Sequence, residues 1–412
     1  MTASNSLPAP AFSMTRVLLC GGLVVTLSMG IRHGFGLWLQ PVTLTHGWSR
    51  EAFSFAIAIQ NLTWGLLGPF TGMIADRYGA SRVLVAGGLL YALGLVLMAT
   101  AATPLGFLGG VGWLMGFAQS GTTYAVIYGV IARNFPAERR SWAMGITAAA
   151  GSFGQFLMPP LDGALLAHFG WQDALFILAC AALAILPLSL GVREPVQALR
   201  HSSQEQSVRQ AMREAFSHRS FQWLTAGYFV CGFQLAFIGV HLPSYLRDKG
   251  VSASVAPVAL ALVGLFNIFG SYAAGVLGQR HSKPRLLSGI YLLRALAIAA
   301  FVAMPLSPIS VYLFASAMGF LWLSTVPPTN AIVVQVFGAR HMTMLGGFVF
   351  LSHQVGSFLG VWLGGRLYDA TGSYTLMWWL SVGLGVCAAL VNLPVRETPV
   401  LRAPEAAATA AA

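Results

Sequence analysis

Charged side chains are scarce. Asp, Glu, Lys and Arg together make up 8% of the 412 residues, against roughly a quarter in an average soluble chain, and this excludes a water-solvated globule. Lysine is rarer still: Lys249 and Lys283 are the two in the chain, and neither follows a glycine. No Gly-x-x-x-x-Gly-Lys loop therefore exists to cradle a nucleoside triphosphate. His-Glu-x-x-His and Gly-x-Ser-x-Gly are missing too, so no enzymatic role and no cofactor are expected. Cys20, Cys180, Cys231 and Cys387 each fall inside an apolar stretch without forming a CxxC pair. Neither a disulfide framework nor a zinc site is indicated, and no metal is expected.

Apolar residues take the place of charge, at 56%. About 20 consecutive apolar residues carry a helix across a bilayer. Twelve such spans are predicted, at about 14–40, 51–74, 82–101, 106–131, 142–166, 173–191, 220–244, 255–278, 286–304, 309–336, 343–366 and 374–394. The chain therefore reads as an all-α multi-pass membrane protein. The residues before the first span are uncharged, and that span is too long for a signal-peptide core, so it is expected to be retained. Alternating spans put both termini on one side. Seventeen of the 23 Lys and Arg residues lie on that side and four on the other, which predicts cytoplasmic termini in the plasma (inner) membrane. The formal net charge of +11 is then mostly topology, and no nucleic-acid partner is expected.

The two sets of six spans echo one another. Gly72, Asp76, Arg77 and Gly79 return about 200 residues later as Gly275, Gln279 and Arg280; Pro41 recurs as Pro243, Gly145 as Gly346 and Gly170 as Gly372. Two equivalent membrane halves are the mark of proteins that move a solute between them. The predicted units are an N-terminal bundle at 1–191, a linker at 192–219, a C-terminal bundle at 220–396 and a disordered tail at 397–412. In the linker, Val208, Ala211, Met212, Ala215 and Phe216 fall at helical spacing, and Glu205 and Arg209 make an i,i+4 pair. A helix on the inner membrane surface and a merely solvated linker both fit. Glycines crowd the spans, as at Gly356, Gly360, Gly364 and Gly365, where close helix packing explains them.

The segment Gly72-Met-Ile-Ala-Asp76-Arg77-Tyr78-Gly79-Ala-Ser-Arg82 resembles the loop between the second and third spans of the major facilitator superfamily. That resemblance implies two six-helix bundles around a central cavity of alternating exposure, in a monomer. Gly72, Asp76, Arg77 and Arg280 then form a conformational latch, weaker in the second half because Gln279 replaces the acid. Phe135-Pro-Ala-Glu-Arg139-Arg140-Ser-Trp-Ala143-Met-Gly145, Ala150-Gly151-Ser152-Phe153-Gly154 and the turn Gly47-Trp48-Ser49 are similar to the monocarboxylate transporters and oxalate/formate antiporters. The chain departs from that group in lacking an arginine in the middle of the eighth span, where Asn267 and Ser271 stand, and an acidic motif before the first.

A guanidinium inside the bilayer costs about 2.5 to 3.5 kcal/mol on insertion scales, so an intramembrane arginine is a functional candidate. Arg32 and Arg294 are the two within spans. Arg32, with Gly30, Gly34 and Gly36 around it, is a candidate anion-binding group, since a planar fork of donors matches a carboxylate; a helix–helix hydrogen bond is the structural alternative. Arg294 is either structural or a stand-in for the missing arginine. Tyr124, Tyr128 and Asn267 complete the expected substrate set. Asp162, the one acid placed inside a span, and His353 are candidate proton carriers, while a salt bridge between Asp162 and Arg32 is a further option.

Two readings follow. The first is proton-coupled alternating access for a small organic anion, a monocarboxylate by resemblance, with protons and the lipid bilayer as the other partners. The alternative is drug or metabolite efflux by proton antiport on the same fold. A Gly-Pro-x-x-Gly-Gly-like run in the fifth span belongs to drug antiporters, whereas here Pro159 and Pro160 are displaced from Gly151 and Gly154.

Overall fold

The computed structural model describes residues 13–192, 208–338 and 342–400. No strand occurs among the described residues. The first half runs α1 (Met14–His33), α2 (Leu39–His46), α3 (Arg50–Tyr78), α4 (Ala80–Thr100), α5 (Pro104–Phe107), α6 (Met115–Thr122), α7 (Tyr124–Asn134), α8 (Ala137–Ala182) and α9 (Ile185–Ser189). The second runs α10 (Val208–Ser217), α11 (Arg219–Asp248), α12 (Val255–Arg280), α13 (Lys283–Ala303), α14 (Pro308–Leu321), α15 (Val326–Phe337), α16 (Met342–Thr371) and α17 (Thr375–Asn392).

Among the described residues nine segments are long and apolar enough to cross a membrane, against twelve predicted spans. Part of the difference is continuity: Trp142–Val192 forms one segment, although Gly170 at φ 79° divides α8. Gly372, its counterpart, sits at φ 69°. Both positions need a backbone that side chains disfavour, which accounts for this part of the sequence echo.

Local chemistry sets the helix ends. The Ser49 hydroxyl accepts the Ala52 N–H at 3.1 Å to start α3. At the start of α14, Ser307 and Ser310 cap one another's backbone N–H groups at 2.9 and 3.2 Å, with Pro308 in the first turn.

Within each half the tightest pairing is the same. Helix α1 lies on α8, where a Cβ on Gly30 would meet the Gly154 carbonyl at 2.7 Å; α11 lies on α16, where one on Gly356 would run into the Phe229 carbonyl. In lipid such contacts stand in for a hydrophobic driving force. The halves meet along two seams. On α3 against α16, Gly65 abuts Gln354 and Gly365 abuts Ser54; on α8 against α12, Gly264 abuts the Gln155 backbone and Gly163 abuts Pro257.

Where α3 begins, ionic contacts also join the halves. Arg50 forms a two-pronged pair with Asp248, and Glu51 pairs with Arg366 at 3.0 Å. Asp369 accepts the Arg50 and Glu51 backbone N–H groups at 3.2 and 2.7 Å, which places a carboxylate at the positive end of α3. Burial opposes the charge on Arg50, but Asp248 and Tyr374 outweigh it and hold the guanidinium's proton affinity above the usual arginine range.

The linker segment 208–217 is a helix. Ala211 and Ala215 are buried, and Phe216 packs edge-on against Phe221 and Phe348 at 5.4 and 5.2 Å, leaving Arg209 and Arg213 exposed. Glu205 lies outside the described residues. At the other end Glu397 pairs with Lys283 at 2.8 Å, and Val400 donates to the Val336 carbonyl at 2.9 Å. The segment expected to be a free tail is therefore fastened as far as residue 400.

Candidate functional site

Each half breaks its fourth span, between α6 and α7 at Thr123 and between α14 and α15 at Trp322–Thr325. Side chains of neighbouring helices gather at both breaks. In the first, the Ser28 and Thr122 hydroxyls lie 2.9 Å apart, Trp64 Nε1 donates to Thr123 Oγ1 at 3.2 Å, and Tyr91 Oη donates to the Ser28 carbonyl at 3.1 Å. In the second, Cys231 Sγ lies 3.3 Å from Thr325 Oγ1, and Asn267 Oδ1 accepts the Leu323 N–H at 3.0 Å. Ser28 and Cys231, Thr122 and Thr325, and Trp64 and Asn267 stand about 200 residues apart. The duplication thus reaches the side chains that hold the breaks.

Beside the first break sits Arg32. It lies at the end of α1, where Gly34 turns the chain into the 3-10 segment Phe35–Trp38. Its Nη2 donates to Asn61 Oδ1, and its guanidinium carbon stands 4.8 Å over the Trp64 ring. The phenols of Tyr91 and Tyr124 are within electrostatic reach. Asn61 is itself fixed, with Nδ2 on the Ile57 carbonyl at 2.8 Å and its own carbonyl accepting from Gln354 Nε2 of the other half at 3.1 Å. The residue is half-buried, and its Nε is buried without a partner. Arg32 thus makes the helix–helix hydrogen bond of the structural alternative, and its Nε remains a donor of the kind that pairs with carboxylates.

The model of the Major Facilitator Superfamily matches residues 18–361. The chain belongs to the Major Facilitator Superfamily. It is therefore a membrane transporter rather than an enzyme. Among its relatives, an uncharacterized MFS-type transporter, YcxA, of Bacillus subtilis is 25% identical over 88% of each chain. Monocarboxylate transporter 13 of Bos taurus is 28% identical over 92% of this chain and 88% of its own. Monocarboxylate transporter 11 of Homo sapiens is 26% identical over 87% and 78%. In fold, the chain matches the inward-facing, occupied structure of a bacterial homolog to the human lysosomal transporter Spinster, with a TM-score of 0.73 at 18% identity, over 93% of this chain and 97% of that one.

In this facilitator the sequence-derived candidates fall into groups. Tyr124 is half-buried with its hydroxyl against Gly151 and its ring 5.7 Å from Tyr128, and it is the one of the two within electrostatic reach of Arg32. Asn267 is buried and satisfied: beyond Leu323, its Nδ2 donates to Ser152 Oγ at 2.9 Å across the seam, and its Oδ1 accepts from Ser271 at 3.2 Å. Arg294 is buried too. Its Nε donates to the Leu321 carbonyl at 3.0 Å and its Nη2 to the Leu321 and Trp322 carbonyls, so this guanidinium caps the end of α14. Its Nη1 alone lacks a partner.

Asp162 is buried against Gly34, and neither carboxyl oxygen has a partner; no salt bridge to Arg32 forms. His353 is half-buried, with Nδ1 3.1 Å from Gln354 Oε1 and 3.4 Å from Ser357 Oγ. At the far end, Arg77 is exposed beside its neighbour Tyr78, 5.3 Å from that ring, and Arg280 is exposed at the end of α12. Gly72 has open space around it, and the Asp76 side chain lies outside the described residues.

Neither Trp64 nor the ionic seam stands out in the sequence. Trp64 carried a signal, since it precedes Asn267 by the repeat distance. Arg50, Glu51, Asp248 and Arg366 lay near the ends of separate predicted spans, and nothing in the sequence shows that these ends converge.

Proposed function

We propose that the protein is a secondary transporter of a small organic monocarboxylate, coupled to protons. The observation that carries this reading is Arg32: a half-buried guanidinium among membrane helices, braced by Asn61 and Trp64, whose Nε faces no acceptor. Keeping such a charge away from water is costly unless it is used. The relatives named for monocarboxylate transport support the substrate class. Tyr124 and Tyr128 shape the same side of the site. Asn267 and Arg294 act at one remove, by holding the second break.

Asp162 is the proposed proton carrier, because an unpartnered carboxyl is far cheaper to bury neutral than ionised. His353, beside Tyr228 and Phe350, is the second. The ionic seam closes the outer end, and Gly72, Asp76, Arg77 and Arg280 fasten the cytoplasmic end in the opposite state. The arginine distribution supports cytoplasmic termini in the inner membrane.

The test is uptake of labelled monocarboxylates by proteoliposomes holding the purified chain, with and without an imposed proton gradient. Gradient-stimulated uptake that falls at least tenfold in Arg32→Gln supports the reading. Uptake with unchanged apparent affinity in that variant removes Arg32 from the site. Extrusion of cationic amphiphiles without carboxylate flux replaces the reading with drug efflux.

A further inference from the structure

Starting from the Arg32 guanidinium, a row of rings leads from one half of the protein to the other. Arg32 lies over Trp64 at 4.8 Å. Trp64 meets Phe350 of α16 edge-to-face at 5.2 Å. Phe350 stacks on His353 at 5.8 Å with an interplanar angle of 12°, and His353 contacts Tyr228 of α11 at 5.1 Å. Trp64 and Tyr228 form the more buried ends of this row, while Phe350 and His353 remain half-buried. The Trp64–Phe350 contact spans the seam between the halves.

Several polar atoms along the row are already engaged, Trp64 Nε1 among them through Thr123 Oγ1 at 3.2 Å. His353 Nδ1 faces Gln354 Oε1, and Gln354 Nε2 is given to the Asn61 carbonyl. A second carboxylate or a string of hydroxyls would find little to bond there, whereas a planar apolar group would find ring faces and edges. A carboxylate of two or three carbons bound at Arg32 would reach no further than Trp64.

We infer that the preferred substrate is a monocarboxylate bearing an aromatic ring, with its carboxylate on Arg32 and its ring against Trp64 and Phe350. The inference rests on the carboxylate reading of Arg32 and adds the identity of the other end of the molecule. Because the ring would touch both halves at once, it would also contribute differently to states in which the seam is closed and open, as a transported ligand must.

The experiment compares ligands on the full-length purified chain by thermal shift and by competition for uptake in proteoliposomes. The probes are phenylacetate and 3-phenylpropanoate, propanoate and butanoate, and the neutral phenylacetamide. Two ring contacts predict about tenfold tighter binding of the aryl acids than of the alkyl acids. In Phe350→Leu that preference should shrink towards unity, with alkyl-acid affinity retained. Equal affinity for aryl and alkyl acids would overturn the aromatic inference and leave the carboxylate reading standing. Phenylacetamide binding as well as phenylacetate would overturn the carboxylate reading, and absence of binding by every acid would overturn both. Should Phe350→Leu fail to fold, the wild-type ligand series decides the question alone.

Discussion

Arg50 and Asp248 meet as a forked ion pair between the two halves, with both nitrogen–oxygen distances 2.7 Å. The pair is partly buried, at 12% and 24% side-chain exposure, and Arg50 also stacks on the Tyr368 ring at 3.7 Å. An exposed pair contributes about 0 to 1 kcal/mol, and a forked, half-desolvated one lies above that range. Asp248→Asn should therefore loosen the seam by about 1 to 2 kcal/mol, a 5- to 30-fold change in the closed-to-open ratio. A cysteine at Ser244→Cys, buried beside the seam, in a background lacking the four native cysteines, reports this through maleimide labelling. Faster labelling in Asp248→Asn, partly reversed by the charge swap of Arg50 and Asp248, is the expected outcome. Unchanged labelling would mean that glycine packing alone holds this end.

Arg294 is expected to matter for stability before transport. Removing its guanidinium strands the Leu321 and Trp322 carbonyls at a buried helix end, and each unsatisfied group costs about 1 to 3 kcal/mol. Arg294→Ala should lower the melting temperature in detergent markedly, while Arg294→Lys, with one compact donor group, should recover part of the loss. The affinity of the surviving folded protein for carboxylates should stay within about twofold of wild type, because fewer than 0.5 kcal/mol separate them at that ratio. A lost affinity at intact stability would instead put Arg294 in the binding site.

The fold was legible because its causes are local or repeated. Span length, arginine placement and the loop from Gly72 to Arg82 each act within one segment, and the recurrence of Gly170 as Gly372 reflects the same positive-φ turn in both halves. Arg32 could be singled out because a charge in an apolar stretch is costly wherever it points. Its partners were less accessible. Asn61 and Trp64 are ordinary residues of a polar-spotted helix until the Arg32 side chain at the end of α1 reaches them. Arg294 shows the opposite limit: the sequence marks the same costly charge, but only the position of the α14 break separates a cap from a ligand. Asn267, read as a substrate contact, is similarly occupied by Leu323, Ser152 and Ser271.

Gly264 offers a test of the seam between α8 and α12. A Cβ there would lie 2.8 Å from the Gln155 carbonyl oxygen and closer still to the backbone beside it, and backbone cannot move aside as a side-chain tip can. Gly264→Ala should push the halves apart at this point and break the nearby Asn267–Ser152 hydrogen bond. Overpacking of this kind costs about 1 to 3 kcal/mol. The predicted signature is a change in conformational balance, read as altered distances between spin labels on α8 and α12, together with a fall in transport rate larger than any fall in affinity. Identical distance distributions in the variant would show that α8 and α12 tolerate the methyl group and that this seam is looser than it looks.

Asp162 separates binding from coupling. Its carboxyl is buried against Gly34, one residue beyond His33 and two beyond Arg32, with no donor facing either oxygen. Ionising it in place would bury a charge without a partner, so losing its proton should require α1 and α8 to part or to admit water. Asn fills nearly the same space but carries no exchangeable charge. Asp162→Asn should keep carboxylate binding and carboxylate-for-carboxylate exchange within about threefold of wild type, since that corresponds to less than 1 kcal/mol. Accumulation driven by an imposed proton gradient should disappear. Measuring counterflow and gradient-driven uptake on the same proteoliposomes distinguishes the two effects. If gradient-driven accumulation persists in Asp162→Asn, the coupling proton travels elsewhere, and His353→Gln in the same pair of assays becomes the deciding variant.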